Sequence, residues 1–497
     1  MWILLILIAI LCVLIATIIK SGRENYGIIE SGNIPVVPPS LFLGSETKLH
    51  KEVQHLEDVK RFKKYGGIWG TYLGKSPQVH IADPDLIRLI FVKDFQYFSN
   101  RQDIDFGTPV MNEILDYLPG EKWKTVRSLL SPLFTTSKLK NMSDVIASSA
   151  QEFIQDLKSE AEKNNGRVKI DCRNRLTAWL IDMFSQTVLG VRMENSKNPN
   201  NEFVEAFREM MGENTQFNLL YTLSLTFPFF TRFAPMFNHE PTKLIESAFK
   251  QVMENRKKSG STNSKDFVDL LNSLMEKVDT PEFQNLSITE GTILSQAVNF
   301  FLGGYETSGT TLSHLLLELA THPEVQDNLK SELDKMLDRF DGKICHESIS
   351  DTEMPYALCV LKESLRLAPP LLRPERICTQ DWRHPESGVS IKKGTIVMIA
   401  AWAANRNPKY WPNPDKFWPE RWESAENLNP YAFTTFGHGP RNCIGTRFAY
   451  ESLKLFLCNL VKEFRVEVRP DTQLNYKMGS TLLVAFDPLY VDLVLRN

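Results

Sequence analysis

The residues best suited to chemistry in this chain of 497 residues form a glycine-rich loop near its carboxyl end. The loop reads Phe-Gly-His-Gly-Pro-Arg-Asn-Cys-Ile-Gly over 436–445, and a helix is predicted directly after it. Backbone N–H groups in such a loop and at a helix start stabilise an anion and moderate its electron donation, so Cys443 is suited to act as a thiolate ligand. The alternative is a buried inert thiol. The glycines favour the ligand, because they permit turns and close approach to the backbone.

The loop resembles the cysteine-ligand loop of the haem-thiolate cytochromes P-450, which reads F-x-x-G-x-R-x-C-x-G. All five fixed positions match, which chance would produce less than roughly once in ten thousand segments. The resemblance implies haem b, iron protoporphyrin IX, as the cofactor. It also implies that Cys443 is the axial ligand of the iron and that Phe436 and Arg441 contact the haem. Among branches, this loop and Lys-Asp-Phe-Val-Asp at 265–269 are most similar to the microsomal family 3 enzymes.

A second match is Glu363-Ser-Leu-Arg366, which is similar to the family's E-x-x-R. Chance predicts about two such pairs in a chain of this length, and an isolated pair is ordinarily an exposed i,i+3 ion pair. The run Phe-Trp-Pro-Glu-Arg-Trp at 417–422, between this pair and Cys443, resembles the family's P-E-R-F element. The resemblance therefore implies that Glu363, Arg366 and Arg421 form a buried charge network behind the haem that serves folding and haem retention.

The third match, Gly-Gly-Tyr-Glu-Thr-Ser at 303–308, resembles the family's [A/G]-G-x-[D/E]-T-[T/S]. It implies that Glu306 and Thr307 are catalytic residues on the distal side of the haem. Oxygen activation in a mostly dry pocket needs delivered protons, which a carboxylate and a hydroxyl linked by water can supply. Two alternatives stay open: Thr307 could bond only to the carbonyl four residues earlier, and the glycines could mark only a close helix crossing.

Haem propionates need cationic partners. Trp123 and Arg127 lie in a segment that resembles the family's W-x-x-x-R helix, and Arg373 stands where the family places a propionate arginine. With Arg441 they provide three guanidinium groups and an indole N–H. Any one of these side chains could instead be an ordinary solvated surface group.

The elements predicted to position these residues are mainly helical. One long helix over 289–320 carries the third motif, and another over about 446–463 follows the cysteine loop. Asp83 and Pro84 provide an N-cap and first residue for a helix through Val92. Short strands are predicted at 68–72, 78–81, 394–400 and 482–486.

The amino-terminal segment predicts a membrane anchor. All but Thr17 of its first 19 residues are apolar, and as a helix they would reach about 28 Å, close to the thickness of the bilayer hydrocarbon. A cleaved signal peptide would need a basic start and a small-residue cleavage site, which are absent. The other alternative is a buried core helix, but a helix that is apolar on every face would need other parts of the chain packed all around it. Lys20 and Arg23 follow the span, so the positive-inside rule places the remaining chain in the cytosol. The prediction is a single-pass protein of the endoplasmic reticulum membrane.

Composition excludes other classes of protein. The 57 Lys and Arg residues against 60 Asp and Glu give a formal charge of −3, which provides no bulk attraction to nucleic acid. Seven scattered cysteines without a CxxC pair argue against a disulfide framework or zinc ribbon. The length alone would suggest about three domains. The haem motifs near 123, 307, 373 and 443 cannot be separated without dividing the site.

The resemblance implies a mainly α fold with small β-sheets, in which a single large domain encloses the haem behind an amino-terminal transmembrane helix. We expect the anchor over 1–20, a polar and proline-rich hinge over 21–45 and the cytochrome P-450 catalytic domain over 46–497. The prolines at 35, 38 and 39 stiffen this hinge.

The resemblance implies a monooxygenase that inserts one atom of dioxygen into a lipophilic substrate such as a steroid, fatty acid or xenobiotic. The electrons would come from NADPH through NADPH-cytochrome P-450 reductase, with cytochrome b5 as a further candidate partner. One alternative is a haem-thiolate isomerase or dehydratase that acts on a peroxide without external electrons. Another is a non-catalytic haem-binding carrier or sensor. No local motif identifies the substrate.

Two surface features have open interpretations. A basic face for an acidic electron donor is predicted from Lys122, Lys124, Lys138, Lys140, Arg447 and Lys454, although a charge run is usually a solvated face. The run Phe-Pro-Phe-Phe at 227–230 could line a substrate entrance at the membrane or could be part of an apolar core.

Overall fold

The computed structural model describes residues 2–41, 43–198, 202–211, 239–259, 266–424, 428–480 and 482–496. The predicted entrance at 227–230 and Lys265 of the branch motif lie outside these ranges. Within them the α-helices are α1 Trp2–Gly22, α2 Gln54–Tyr65, α3 Pro84–Arg88, α4 Pro109–Asn112, α5 Gly120–Leu130, α6 Thr136–Lys163, α7 Cys172–Phe184, α8 Glu202–Met211, α9 His239–Ser259, α10 Phe267–Met275, α11 Pro281–Asn285, α12 Glu290–Thr321, α13 Pro323–Arg339, α14 Pro355–Leu367, α15 Ala401–Ala404 and α16 Thr446–Glu463.

The strands of the described chain form three small sheets. The largest has the order β1-β2-β7-β4, the second has the order β3-β9-β8, and β5 pairs with β6. Their bounds are β1 Ile68–Leu73, β2 Ser76–Ile81, β3 Arg167–Asp171, β4 Glu375–Ile377, β5 Trp382–Arg383, β6 Ser390–Ile391, β7 Ile396–Ile399, β8 Phe464–Glu467 and β9 Tyr490–Leu495. The predicted mainly α fold with small sheets is confirmed.

Helix α12 passes through the main hydrophobic core and carries the third motif. It begins with a capping box in which the Thr289 hydroxyl accepts from the N–H of Thr292, and the Thr292 hydroxyl accepts from the N–H of Thr289. Most of its side chains are buried, and it packs against α7. Pro323 starts α13 directly afterwards. The predicted bounds of 289–320 agree with this helix to within one residue at each end.

Local signals also produce the smaller elements around the site. The first two predicted strands are β1 and β2, which pair antiparallel as a hairpin, and β2 then pairs in parallel with β7. Asp83 caps α3 by accepting from the N–H groups of Asp85 and Leu86. The predicted strand over 482–486 is absent: in its place are two isolated bridges, Leu371 with Leu483 and Tyr476 with Phe486.

The amino-terminal helix α1 is exposed except near its carboxyl end, where Gly22 is buried. It is long and apolar enough to cross a membrane. The segment after α1, predicted to be a hinge, packs against the domain. Ile29 and Ile34 are buried in a second hydrophobic cluster with the largest sheet, and Val37 N donates to Gly70 O at 2.9 Å. The prolines of this segment therefore lie in chain that is packed against β1 from Ile29 onward.

Buried histidines make the fold sensitive to acid. The His55 ring lies between Trp402 and Tyr476, with ring centroids 4.0 and 4.6 Å away. In the described part of the chain, neither of its nitrogens has a hydrogen-bond partner. His314 Nδ1 lies 2.8 Å from Thr310 O. Burial lowers the pKa of His55 to about 3 and that of His314 to about 4.

We expect these histidines to destabilise the fold as the pH falls. The unfolded chain takes up a proton at each of them near pH 6.5, whereas the folded chain keeps them neutral to much lower pH. The free energy of unfolding is therefore unaffected by these histidines above that pH and falls below it. The loss is about 1 kcal/mol for each histidine between pH 7 and about pH 5.5. Urea unfolding at the two pH values measures this loss.

The His55→Phe variant provides the matched control, because Phe keeps the aromatic contacts and removes the titrating group. The loss of unfolding free energy between pH 7 and 5.5 should shrink by about 1 kcal/mol in this variant. An unchanged loss would show that His55 does not contribute to the acid sensitivity.

Candidate functional site

The cysteine loop is held in its turn by backbone hydrogen bonds and two glycines. Cys443 N donates to Phe436 O at 2.8 Å, which closes the loop just before α16. Gly437 and Gly439 have φ values of +68° and +76°, the region that glycine adopts without strain. A Cβ on Gly439 would lie 1.9 Å from Phe91 O, so only glycine fits there. Gly445, predicted to share this role, has an ordinary φ of −88°.

Cys443 reaches the interior of a cavity from this loop. Its side chain is accessible from the cavity although protein surrounds it on every side. Burial raises the pKa of the Cys443 thiol, whereas the N–H of Gly445, the hydroxyl of Thr446 and the charge of Arg127 act in the opposite direction. The loop alone therefore does not hold a free thiolate at neutral pH, and a bound metal cation would shift the sulfur toward its anionic form.

The cavity has a volume of about 320 Å³ and lies between the cysteine loop and α12. Phe436 and Cys443 line it on one side, and Gly303 and Thr307 of α12 line it opposite. Its remaining walls are mainly apolar and aromatic. This arrangement suits a flat apolar group inserted between sulfur and helix.

Four arginines line one end of this cavity: Arg101, Arg127, Arg376 and Arg441. Arg376 is 2% exposed, and its Nε has no hydrogen-bond partner among the residues that the structure describes. Burial and the neighbouring guanidinium groups lower the pKa of Arg376 far below its usual range and that of Arg441 to about 9. Arg376 and Arg441 are buried, and Arg101 and Arg127 are partly buried. The carboxylate of Asp116 in the same lining lies 3.3 Å from Arg101, so the four cations call for further anions, which the two propionates of a haem would supply. The residues present therefore fit a haem b.

Only some of the predicted propionate-binding residues line the cavity. Arg127 and Arg441 line the cavity, and Arg441 Cζ lies 4.2 Å from the ring centroid of Trp123. Trp123 itself lies behind Arg441 and does not line the cavity.

Arg373 is placed differently from the prediction. Its Nε and one terminal nitrogen each donate to Asp58 at 2.8 Å, and it lies away from the cavity. Arg376, three residues later, faces the cavity instead. Positions separated by an odd number of residues in extended chain point to opposite sides, so the two arginines cannot share one role. Arg101 lies in no motif considered in the sequence. Arg376 lies in the same segment as Arg373, Leu-Arg-Pro-Glu-Arg at 372–376, of which the resemblance to the family indicates the other arginine.

The glycines of α12 have two different environments. A Cβ on Gly304 would lie 2.1 Å from Phe184 Cζ of α7, so this glycine permits a close helix crossing. Gly303 has open space beside it and lines the cavity. Both interpretations of the glycine pair thus apply, one to each residue.

Thr307 and Glu306 of the same helix point in different directions. Thr307 lines the cavity, and its Oγ1 donates to Gly303 O at 2.7 Å, which is the local bond considered as the alternative. Glu306 is 8% exposed, does not line the cavity, and pairs with Arg173 of α7 at 3.1 Å. Adjacent helix positions differ by about 100° in direction. With Thr307 toward the cavity, Glu306 must therefore face α7, which corrects its expected distal position.

The predicted charge network is present as contacts. The carboxylate of Glu363 accepts from Arg366 Nε at 2.9 Å and from Arg421 Nε at 2.8 Å. It also accepts from the Trp422 indole at 2.9 Å and from the N–H of Trp418 at 3.0 Å. Glu363 and Arg366 are completely buried. The role of the three charged residues in folding and haem retention stays a prediction.

The predicted basic face is smaller than its six residues suggest. Lys454 is 3% exposed and donates to Ile349 O and Asp351, so it cannot meet a partner. Lys122 is mostly covered and pairs with Glu113. Exposed positive charge remains at Lys124, Lys140 and Arg447, and Lys138 is partly buried. Lys124 and Lys140 each pair with a surface glutamate.

Comparisons with known proteins agree with this geometry. The family model described as Cytochrome P450 matches residues 33–492. Cytochrome P450 3A6 of Oryctolagus cuniculus is 33% identical over 487 residues, which cover 96% of this chain and 94% of the relative. Cytochrome P450 3A7 of Homo sapiens is 34% identical, with coverage of 93% and 91%, and cytochrome P450 3A14 of Cavia porcellus is 34% identical, with coverage of 100% and 97%. The similarity extends over nearly the whole chain.

Proposed function

Because this chain belongs to the cytochrome P450 family and is a haem-thiolate monooxygenase, we propose that it inserts one oxygen atom from dioxygen into a lipophilic substrate with electrons that originate from NADPH. The observation that carries the proposal is the cavity itself. It combines Cys443 on one side, Thr307 on the other, buried and partly buried arginines at one end and mainly apolar walls elsewhere.

Six residues of the cavity wall would hold the haem. Cys443 would ligate the iron, Phe436 would contact the ring, and Arg101, Arg127, Arg376 and Arg441 would face the propionates. Bound haem supplies the activation of dioxygen, to which the thiolate contributes electron density. The apolar walls bind a lipophilic molecule and exclude water, which protects the reaction from side products.

Thr307 is the residue we assign to proton delivery, because its Oγ1 is a hydroxyl in the wall opposite Cys443. Glu306 can join this route only if its carboxylate leaves Arg173, since that ion pair holds it outside the cavity. We therefore give Thr307 the direct role and Glu306 a supporting one.

The Thr307→Ala variant tests this assignment. Loss of the hydroxyl should lower product formation by about 10- to 100-fold while NADPH consumption continues. More of the consumed NADPH should then appear as hydrogen peroxide. Both products are measured against NADPH oxidation in the reductase-reconstituted enzyme.

Thr321→Ala is the matched control for this variant. Thr321 lies at the end of the same helix, is exposed, and donates to Leu317 O in the same local geometry. It should leave the ratio of peroxide to NADPH unchanged. An unchanged ratio in Thr307→Ala as well would move proton delivery to another residue.

We also propose the cellular setting of the enzyme. The apolar helix α1 supports a membrane anchor, and the basic residues after it support an endoplasmic reticulum protein whose catalytic domain faces the cytosol. NADPH-cytochrome P-450 reductase would be the electron donor, with cytochrome b5 as a further partner. Lys124, Lys140 and Arg447 are the exposed cations offered to such acidic donors.

A further inference from the structure

The α12 wall of the cavity contains a side-chain amide that has no hydrogen-bond partner in the described part of the chain. Asn299 lies on α12, lines the cavity and is partly exposed to it. Within the described ranges, no hydrogen bond engages its side chain. An amide provides two donors and one acceptor, and leaving them unused beside apolar groups is costly.

The neighbouring amide on the same helix behaves differently. Gln296 Nε2 donates to Glu113 O at 2.8 Å and to Thr292 O at 2.7 Å, and Gln296 Oε1 accepts from Leu115 N at 3.0 Å. Its hydrogen-bonding capacity is used to fix the 113–115 segment against α12. Asn299, about one turn later, has no such structural task and is available to a ligand.

Other polar side chains line the cavity, among them Asp116, Tyr117 and Ser308, but most of the cavity wall is apolar. The segment fixed by Gln296 contributes Ile114 and Leu115 to the cavity wall, and α12 contributes Leu302. The arginines lie at the haem-binding end of the cavity. Further along α12, the Thr307 hydroxyl already donates to Gly303 O, and that of Thr311 donates to Thr307 O.

The helix sets the separation of Asn299 and Thr307 along its axis. Asn299 precedes Thr307 by eight residues, which corresponds to about 12 Å along the helix axis. A substrate that contacts both positions must therefore extend over about 12 Å, with its polar group near Asn299 and the carbon that is oxidised toward the Thr307 end.

We propose that Asn299 is a specificity-determining residue whose amide hydrogen-bonds a hydroxyl or carbonyl oxygen of the substrate, and that the substrates are elongated lipophilic molecules with an oxygen function remote from the site of oxidation. This inference rests on the proposed function. It narrows the substrate class from lipophilic molecules in general to elongated ones with an oxygen function remote from the carbon that is oxidised.

Matched ligand pairs test the proposal by binding rather than turnover. The pairs are androstanone with androstane and dodecanol with dodecane, titrated into the haem-loaded enzyme by the change in iron spin state. The dissociation constant of each hydrocarbon is divided by that of its oxygenated partner, for the wild type and for Asn299→Leu. Comparing the two quotients cancels the cost of taking the ligand oxygen out of water.

For at least one pair, the wild-type quotient should exceed the Asn299→Leu quotient by about 3- to 10-fold, the value of one net hydrogen bond. Asn299→Gln, which keeps an amide, should retain part of the difference. Equal quotients in wild type and Asn299→Leu for both pairs would overturn the proposal, as would a wild type that binds no ligand of either pair.

The reduced carbon monoxide spectrum separates the failure of this inference from that of the proposed function. A red-shifted Soret band in both proteins with equal quotients would contradict only the role of Asn299. Absence of the band in the wild type would contradict the haem-thiolate site itself. With dodecanol, a shift of oxidation away from the methyl end in Asn299→Leu would give independent support, and unchanged positions would count against the proposal.

Discussion

Replacing Cys443 by alanine should abolish the red-shifted Soret band of the reduced carbon monoxide complex and all monooxygenase activity. Cys443 is the one cysteine that lines the described cavity, so the variant leaves no second sulfur to take its place there. The arginines and apolar walls would remain, and some haem could still enter without an axial thiolate. Its spectrum would then lack the signature of sulfur ligation. Carbon monoxide difference spectra of the purified full-length protein measure this directly.

Cys345→Ala is the control for this experiment. Cys345 is a free, partly exposed cysteine outside the cavity, and its removal should leave the Soret band and the haem content unchanged. Persistence of the red-shifted band in Cys443→Ala would mean that another residue ligates the iron, which would remove the basis for the proposed function.

Local sequence signals predicted the elements that carry the site. Helix α16 matches its predicted bounds, 446–463, because a glycine loop precedes it and a strand follows it. The Thr289 cap and Pro323 fixed the ends of α12 to within one residue. The contacts of Glu363 with its two arginines could also be anticipated, because fixed spacing and a matching motif identify both partners. These features depend on residues close in sequence or on a motif as a whole.

Predictions that depended on side-chain direction were less successful. The spacing of motifs identified an arginine near 373, but the opposite faces of extended chain decide that Arg376 enters the cavity while Arg373 meets Asp58. Glu306 belongs to a matching motif, yet Arg173 lies 133 residues earlier and carried no signal that it would pair with this glutamate. Asn299 has no motif at all. Long-range contacts of this kind become visible only when the helices are packed.

Glu363→Gln should produce the largest loss of stability of any single substitution in the charge network. The Glu363 carboxylate is completely buried and compensates the guanidinium groups of Arg366 and Arg421. A neutral amide would leave both cations without an anion and would place its own NH₂ against their donors. Breaking a buried ion pair from one side costs about 3–5 kcal/mol. A domain stable by about 5–15 kcal/mol would then lose a large part of its free energy of unfolding.

Glu121→Gln provides the comparison, because Glu121 forms the same i,i+3 kind of pair with Lys124 but both side chains are about 70% exposed. That substitution should change the free energy of unfolding by less than about 1 kcal/mol. Haem content at equal expression and urea unfolding of both variants measure the difference. Because Glu363 does not line the cavity, Glu363→Gln should reduce activity in proportion to the haem it retains, with activity per haem unchanged. Equal stability of the two variants would show that the network contributes no more than an ordinary surface pair.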